Sequence, residues 1–359
     1  MKILIVGDEF ISSKLLKKHL DHHLKPIKHA QNDLRYEEIN FKPTDIPTQT
    51  YQDIDEYWGD DIPLIRKIGD CEILVVVDAP VTRKVIEAGT KLEVIGCTRG
   101  GPVNVNVKEA TRRGIAVLSA VGRNVDAVAD FTIGIMLALM RKIVNAGQFL
   151  RNGNWKRNKQ DTFEKPTGPE LCGKKVGIVG FGQVGQRVAR RLMGFDVQIL
   201  VYDPYVSKAN IENAGCISVD LDKLLKESDV VSLHLRLPRE KAGWFDLEKI
   251  KLMKKTSYLI NTSRGYIVNE ADLIKALKEK LIRGAAIDVF ENEPISLKSE
   301  LLKLDNVLLT PHVAGVSTEV PQKSAAIIAE QIAKYLRGER PENIVNPEVL
   351  DDCQRKSEK

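Results

Sequence analysis

Long apolar runs are missing from this chain of 359 residues. No segment approaches the roughly 20 apolar residues of a membrane-spanning helix, and the opening MKILIVGDEF is too short an apolar run for a secretory leader. Cysteine is scarce: Cys71, Cys97, Cys172, Cys216 and Cys353 lie far apart with no C-x-x-C pair. That excludes a disulfide framework and reads as reduced thiols, mostly core fillers, of a cytoplasmic protein. Neither sign of charge dominates, with Lys+Arg 54 against Asp+Glu 49 and a net charge of +5. The basic residues do not pool into one block, so no nucleic-acid footprint is expected. Of the six histidines, His19, His22, His23 and His29 sit together in LLKKHLDHHLKPIKH. The i, i+3 spacing invites a metal reading, but lysines surround them and no thiolate is near, so a solvated face is expected and no metal.

What is present is ordinary globular material, 43% apolar and 29% charged, in a chain long enough for two cores. From Lys175 onward, strands KVGIVG, VQILVYD, DVVSLHL, SYLINTS, GAAIDVF and NVLLTPHV alternate with helical patterns VGQRVARRLM, LDKLLKES, DLEKIKLMKK and EADLIKALKEK. Near-continuous apolar strands separated by amphipathic helices predict a doubly wound parallel sheet. The first 120 or so residues repeat the theme in KILIVGD, CEILVVVD, LEVIGCT and GIAVLSA. Between them a long helical stretch runs from about Asn124 to Asn152, apolar nearly all round at its centre and therefore expected to be buried. A final helix, VPQKSAAIIAEQIAKYLRGE, leads to PENIVNPEVL and is expected to cross back and complete the first domain. The irregular stretch from about Phe41 to Ile65, with Pro43, Pro47 and Pro63, reads as a surface excursion. The fold class is α/β, with two parallel-sheet domains: residues 1–122 with 316–359, and residues 123–315.

Gly180-Phe181-Gly182-Gln183-Val184-Gly185 fits G-x-G-x-x-G after a strand and at the start of a helix. Gly180 permits the tight turn and Gly182 lets a pyrophosphate approach the backbone. Gly185 lets helix and strand pack closely, and the N–H groups at Gln183 and Val184 point at the phosphates. Asp203 ends the next strand, about 20 residues on, where a carboxylate accepts from ribose hydroxyls and repels a 2′-phosphate. NAD is therefore expected over NADP. Functional groups in such sheets gather at the carboxyl ends of the strands. Three of those ends carry Arg264 (YLINTSRG), Asp288 and Glu293 (AAIDVFENEP), and His312 (VLLTPHVAG). A cation, a carboxylate and an imidazole suit hydride chemistry on a keto acid.

In this order and spacing, the fingerprint, Asp203, NTSRG, AAIDVFENEP and TPHVAG resemble the D-isomer-specific 2-hydroxyacid dehydrogenases, over nearly the whole chain and most strongly from Lys174 to Gly315. The resemblance implies a Rossmann NAD-binding domain inserted into a smaller, discontinuous flavodoxin-like substrate domain. The active site would lie in the cleft between the domains. It implies an NAD-dependent oxidoreductase interconverting a 2-oxo acid and a D-2-hydroxy acid, and a homodimer. Arg264 would bind the substrate carboxylate and polarise the 2-oxo group. His312 would be the acid–base, and Glu293 would fix its tautomer and raise its pKa. Asp288 would help orient the nicotinamide, while His234, Thr262, Ser263 and Gly315 would lie beside the cofactor. In the substrate loop, TRGGPVNVN departs from the family's A-G-V-G-x-D-N-x-D. Gly100 and Gly101 could still offer N–H groups to a carboxylate. Arg99 either enters the cleft to favour a substrate with an extra phosphate, hydroxyl or carboxylate, or faces solvent or pairs with an acidic neighbour. The alternative function is a non-enzymatic NAD(H)-sensing regulator on the same fold.

Overall fold

Strand hydrophobicity and helix amphipathicity resolve into two parallel sheets in a computed structural model that describes residues 1–27, 34–155 and 166–350. The chain divides into Met1–Arg123 with the segment from Ser317 onward, and Asn124–Val316. In the first unit five parallel strands, β1 (Lys2–Gly7), β2 (Arg35–Asn40), β3 (Ile73–Val76), β4 (Val94–Cys97) and β5 (Ala116–Ser119), run in the order β2-β1-β3-β4-β5. That is the flavodoxin-type order. Ile73–Val76, Val94–Cys97 and Ala116–Ser119 are buried at every position, as strands covered on both faces must be. β2 is the exception. RYEEIN has no apolar alternation and is half exposed, and only pairing with β1 makes this edge segment a strand.

The C-terminal helix Val320–Leu336 lays Ala325, Ile328, Ala329, Ile332 and Ala333 on that sheet. The chain after it is tied back by polar bonds. Asn346 accepts from Val117 N–H and donates to Thr111 Oγ1 and Ile115 C=O, while Ser119 N–H donates to Asn343 C=O. The stretch read as a surface excursion is anchored more firmly than that. Phe41, Ile54 and Asp61 are buried, Asp61 accepts from Thr82 Oγ1 at 2.8 Å, and Tyr51 meets Tyr57 edge to face. His19 bonds Gln322 and His22 meets His23 edge to face; His29 and Cys353 lie outside the described residues. Cys71, Cys97 and Cys216 are buried and Cys172 is exposed.

In the second unit seven parallel strands, β6 (Lys175–Val179), β7 (Gln198–Tyr202), β8 (Ile217–Ser218), β9 (Val230–Leu233), β10 (Tyr258–Asn261), β11 (Gly284–Ile287) and β12 (Val307–Leu309), run β12-β11-β10-β9-β6-β7-β8. The order reverses between β6 and β9, so a crevice opens there at the strands' carboxyl ends. The stretch after Asn124 is two helices, not one. Val125–Met140 buries Ala129, Thr132, Ile133, Met136 and Met140, and the chain then turns through Lys142 at φ +52 into Ile143–Arg151, none of whose residues is buried. Helix Gln183–Leu192 packs on the first of these. Val188 and Leu192 are fully buried there, each worth about 1.5–3 kcal/mol, and Arg187 and Arg191 pair with Asp126 and Asp130 at the rim. Among the described residues no helix is long and apolar enough to cross a membrane.

Candidate active site

The glycine turn after β6 is built for close approach. Gly180 sits at φ +96, and a Cβ there would lie 2.7 Å from His234 C=O across the switch point. A Cβ on Gly185 would meet Gly180 C=O at 2.2 Å. At Gly182 the opposite holds: nothing lies within 4 Å of the position a Cβ would take. Gly182 is also the N-cap of helix Gln183–Leu192, with no side-chain cap. The first-turn N–H groups, Gln183 and Val184 among them, therefore lie at an unobstructed helix N-terminus of positive potential, the donor set a pyrophosphate needs.

Asp203 braces this turn. Its Oδ2 accepts from Phe181 N–H at 2.7 Å, and Oδ1 accepts from Tyr205 and Val206 N–H. A carboxylate offers about four acceptor positions, so capacity for a ribose hydroxyl remains. His234, at the end of β9, bonds Ser232 Oγ through Nε2 at 2.8 Å, while its Nδ1 is buried with no partner. Burial pushes its pKa down to about 4, so it is a neutral ring at physiological pH. Its ring therefore contributes shape and dipole rather than charge.

The other three strand ends converge. After β10, Asn261 Oδ1 accepts from Ser263 N–H and Oγ, and its Nδ2 donates to Arg264 C=O. Thr262 is buried and bonds Thr132 Oγ1 at 2.8 Å. This folds NTSRG into a tight turn that leaves Arg264 exposed, with Nη1 donating to Ser263 C=O. Gly265 is pressed so closely to Phe290 that a Cβ would fall 1.8 Å from its carbonyl oxygen. After β11, Glu293 Oε1 accepts from Phe290 N–H at 2.9 Å and Oε2 pairs with His312 Nδ1 at 2.7 Å. Glu293 therefore fixes the tautomer: Nδ1 carries the proton, and Nε2 is left for another partner. The hydrogen bond to Glu293 raises the His312 pKa against burial and Arg264, which lower it. For Glu293 burial opposes ionisation, but bonds from His312 and Phe290 hold its carboxyl below the usual range.

Asp288, expected to help orient the nicotinamide, is bonded into this turn. Fully buried, its Oδ1 accepts from Thr310 Oγ1 (2.6 Å) and Val313 N–H (3.0 Å), its Oδ2 from Ala314 N–H (2.9 Å), and its backbone C=O from His312 N–H (2.8 Å). His312 stands at φ +53, left-handed for a non-glycine residue, and Asp288 grips it from both sides. Gly315, expected among the cofactor contacts, packs on Asn124, whose Nδ2 would lie 2.5 Å from a Cβ. Thr310 and Asn261 carry this geometry although sequence reading assigned them no role; both stood inside the quoted motifs. In the first unit, Arg99 is paired with Glu56 and Asp78 rather than unengaged, and Gly100 has nothing nearer than 3.9 Å to a would-be Cβ.

Comparisons with known proteins show the family to which this chain belongs. Residues 133–314 match the family described as D-isomer specific 2-hydroxyacid dehydrogenase, NAD binding domain. A glyoxylate reductase of Korarchaeum cryptofilum is 39% identical over 86% of this chain and 96% of its own. A D-3-phosphoglycerate dehydrogenase of Methanocaldococcus jannaschii is 44% identical over 79% of this chain but only 53% of its own. A solved structure from Pyrococcus horikoshii OT3 superposes with a TM-score of 0.73 at 32% identity, covering 98% of both chains. With its fingerprint turn, its Glu293–His312 pair and these relatives, the chain belongs to the D-isomer-specific 2-hydroxyacid dehydrogenase family of NAD-dependent enzymes.

Proposed function

We propose that this protein reduces a small 2-oxo acid, of the glyoxylate or hydroxypyruvate kind, to the 2-hydroxy acid with NADH, and that Arg264, Glu293 and His312 carry the reaction. The observation behind this is the 2.7 Å Glu293–His312 pair held in a strained, braced turn and electrostatically coupled to Arg264. The residues present fit a dinucleotide: open space at Gly182, an uncapped helix N-terminus and the remaining acceptor capacity of Asp203. When bound, the nicotinamide supplies the hydride. Gly180, Gly182, Gln183, Val184 and Gly185 would seat its pyrophosphate and Asp203 its ribose, with His234, Thr262 and Ser263 shaping the walls.

Arg264 binds the substrate carboxylate and withdraws electron density from the 2-oxo carbon, because its guanidinium is exposed and permanently charged. His312 Nε2 gives its proton to the carbonyl oxygen during reduction and takes it back in oxidation. Glu293 stabilises the imidazolium, so the proton is present when it is needed. Gly100 and Gly101 are proposed as backbone N–H donors to a substrate carboxylate. The test is NADH oxidation with glyoxylate, hydroxypyruvate and longer 2-oxo acids, with His312→Ala beside the wild type. The variant should keep NADH binding and lose about 10²- to 10⁴-fold in turnover. Loss of NADH affinity instead would remove His312 from the acid–base role.

We also read the chain as a homodimer. Helix Ile143–Arg151 leaves Ile143, Val144 and Leu150 each about half exposed and buries none of its residues, a face suited to a second copy. Light scattering at micromolar concentration decides it.

A further inference from the structure

The segment Phe41–Asp61 and Arg99 belong to one construction at the carboxyl ends of the first unit's strands. Asp55 N–H donates to Val103 C=O and Trp58 N–H to Asp78 C=O, so the backbone on both sides of Glu56 is tied down. Asp53 adds a third tie, accepting from Arg83 N–H and Asn106 Nδ2. Between these ties Glu56 adopts φ +47, a conformation a non-glycine residue holds only when its surroundings enforce it. In that position it meets Arg99 twice. Arg99 Nη1 donates to Glu56 C=O at 2.7 Å and Nη2 donates to Glu56 Oε2. Nη1 also donates to Asp78 Oδ1 at 3.1 Å, and the Arg99 side chain keeps only 19% of its surface exposed.

Two carboxylates therefore claim one guanidinium. The neighbouring Arg123, whose Nη1 donates to Ser324 Oγ at 3.4 Å, lies in the field of Asp78 and Asp8 as well as of Arg99. Two arginines stand against Glu56, Asp78 and Asp8. A phosphate or second carboxylate arriving there would have to displace an acceptor already bonded to Arg99, and it would meet Glu56 and Asp78 as like charges. A 2-oxo acid with a hydrogen or hydroxymethyl tail asks for neither. We propose that Glu56 and Asp78 occupy Arg99 as an internal anion substitute, and that this cluster makes the protein select 2-oxo acids lacking a second anionic group. The inference rests on the activity proposed above and on reading Arg99–Gly101 as the substrate loop.

It is tested with Glu56→Gln and Asp78→Asn, made singly and together, so that one folded variant suffices; thermal melting identifies it. The readout is kcat/KM for hydroxypyruvate divided by that for hydroxypyruvate phosphate, with NADH. The wild type should favour the unphosphorylated acid. Each substitution should move the ratio toward the phosphate by on the order of tenfold, the scale of one hydrogen bond to a charged group, and the double variant further. A wild type that prefers the phosphate, or a ratio unmoved in the folded variants, overturns the proposal. Absence of turnover with every 2-oxo acid would strike the activity reading instead. Calorimetric titration of hydroxypyruvate phosphate into the protein–NADH complex then decides the selectivity: tighter binding by the variants supports it, and unchanged affinity refutes it.

Discussion

Asp288→Asn separates a brace from a cofactor contact. The native carboxylate, itself fully buried, satisfies three donors, at 2.6, 3.0 and 2.9 Å, of which Ala314 N–H is buried and the others half-buried. An asparagine has one acceptor oxygen. Kept at the Oδ1 position it still receives Thr310 Oγ1 and Val313 N–H, but its NH2 then faces Ala314 N–H. That leaves a buried donor without a partner and exchanges charge-assisted bonds for neutral ones, a loss of about 1–3 kcal/mol. Turned the other way it strands Val313 N–H instead, so rotation offers no escape. His312 adds a second consequence. Its left-handed backbone costs roughly 1–2 kcal/mol and persists because the turn on both sides is bonded to Asp288. A slackened turn lets the imidazole drift, and about 1 Å of misplacement costs on the order of 100-fold in rate. Urea unfolding and NADH oxidation with glyoxylate should therefore show Asp288→Asn about 2 kcal/mol less stable and slower in kcat, with NADH affinity retained. A variant with wild-type stability and kcat would refute the brace. Weakened NADH binding at unchanged stability would return Asp288 to the nicotinamide.

With His312 as the proposed proton donor, reduction needs it protonated, and Glu293 raises the His312 pKa above its ordinary range. The rate should thus hold at low pH and fall as pH rises through that raised value, and Glu293→Gln should shift the falling limb toward acid and slow kcat at least about tenfold; a limb that does not move would deny the coupling. By linkage the same pair stabilises the fold between two limits, fading as pH rises through the raised His312 pKa and as pH falls through the lowered Glu293 one; denaturation midpoints across pH check the sign. Asp203→Ala should weaken NADH relative to NADPH and loosen the fingerprint turn, since Phe181 N–H loses its acceptor. Titration of both cofactors measures this, and an unchanged preference removes Asp203 from the ribose.

Particular residues show how far the sequence reached. Strands such as ILVV and VIGC were legible because burial on both faces demands continuous apolar runs, and the short helices because their polar faces recur every turn. β2 was not legible: a charged edge segment becomes a strand through its neighbour's hydrogen bonds, which no local pattern records. The break at Lys142 was equally silent, because IMLALMRKIVNAG stays helical in composition across a residue that turns left-handed. Glu293 and His312 stood out because each followed a strand end.

The sequence alone determined the α/β class and the glycine-rich turn, and it picked out the residues proposed as the acid–base pair. Those depend on residue type at short spacing, where covalent geometry and burial leave few alternatives. Only the tertiary structure decided that Asp288 clamps the His312 turn and that Glu56, more than 40 residues away in the chain, claims Arg99. The reason is physical: which of several carboxylates meets a given donor depends on distances set by sheet register and loop closure, and these arise only once the whole unit has folded.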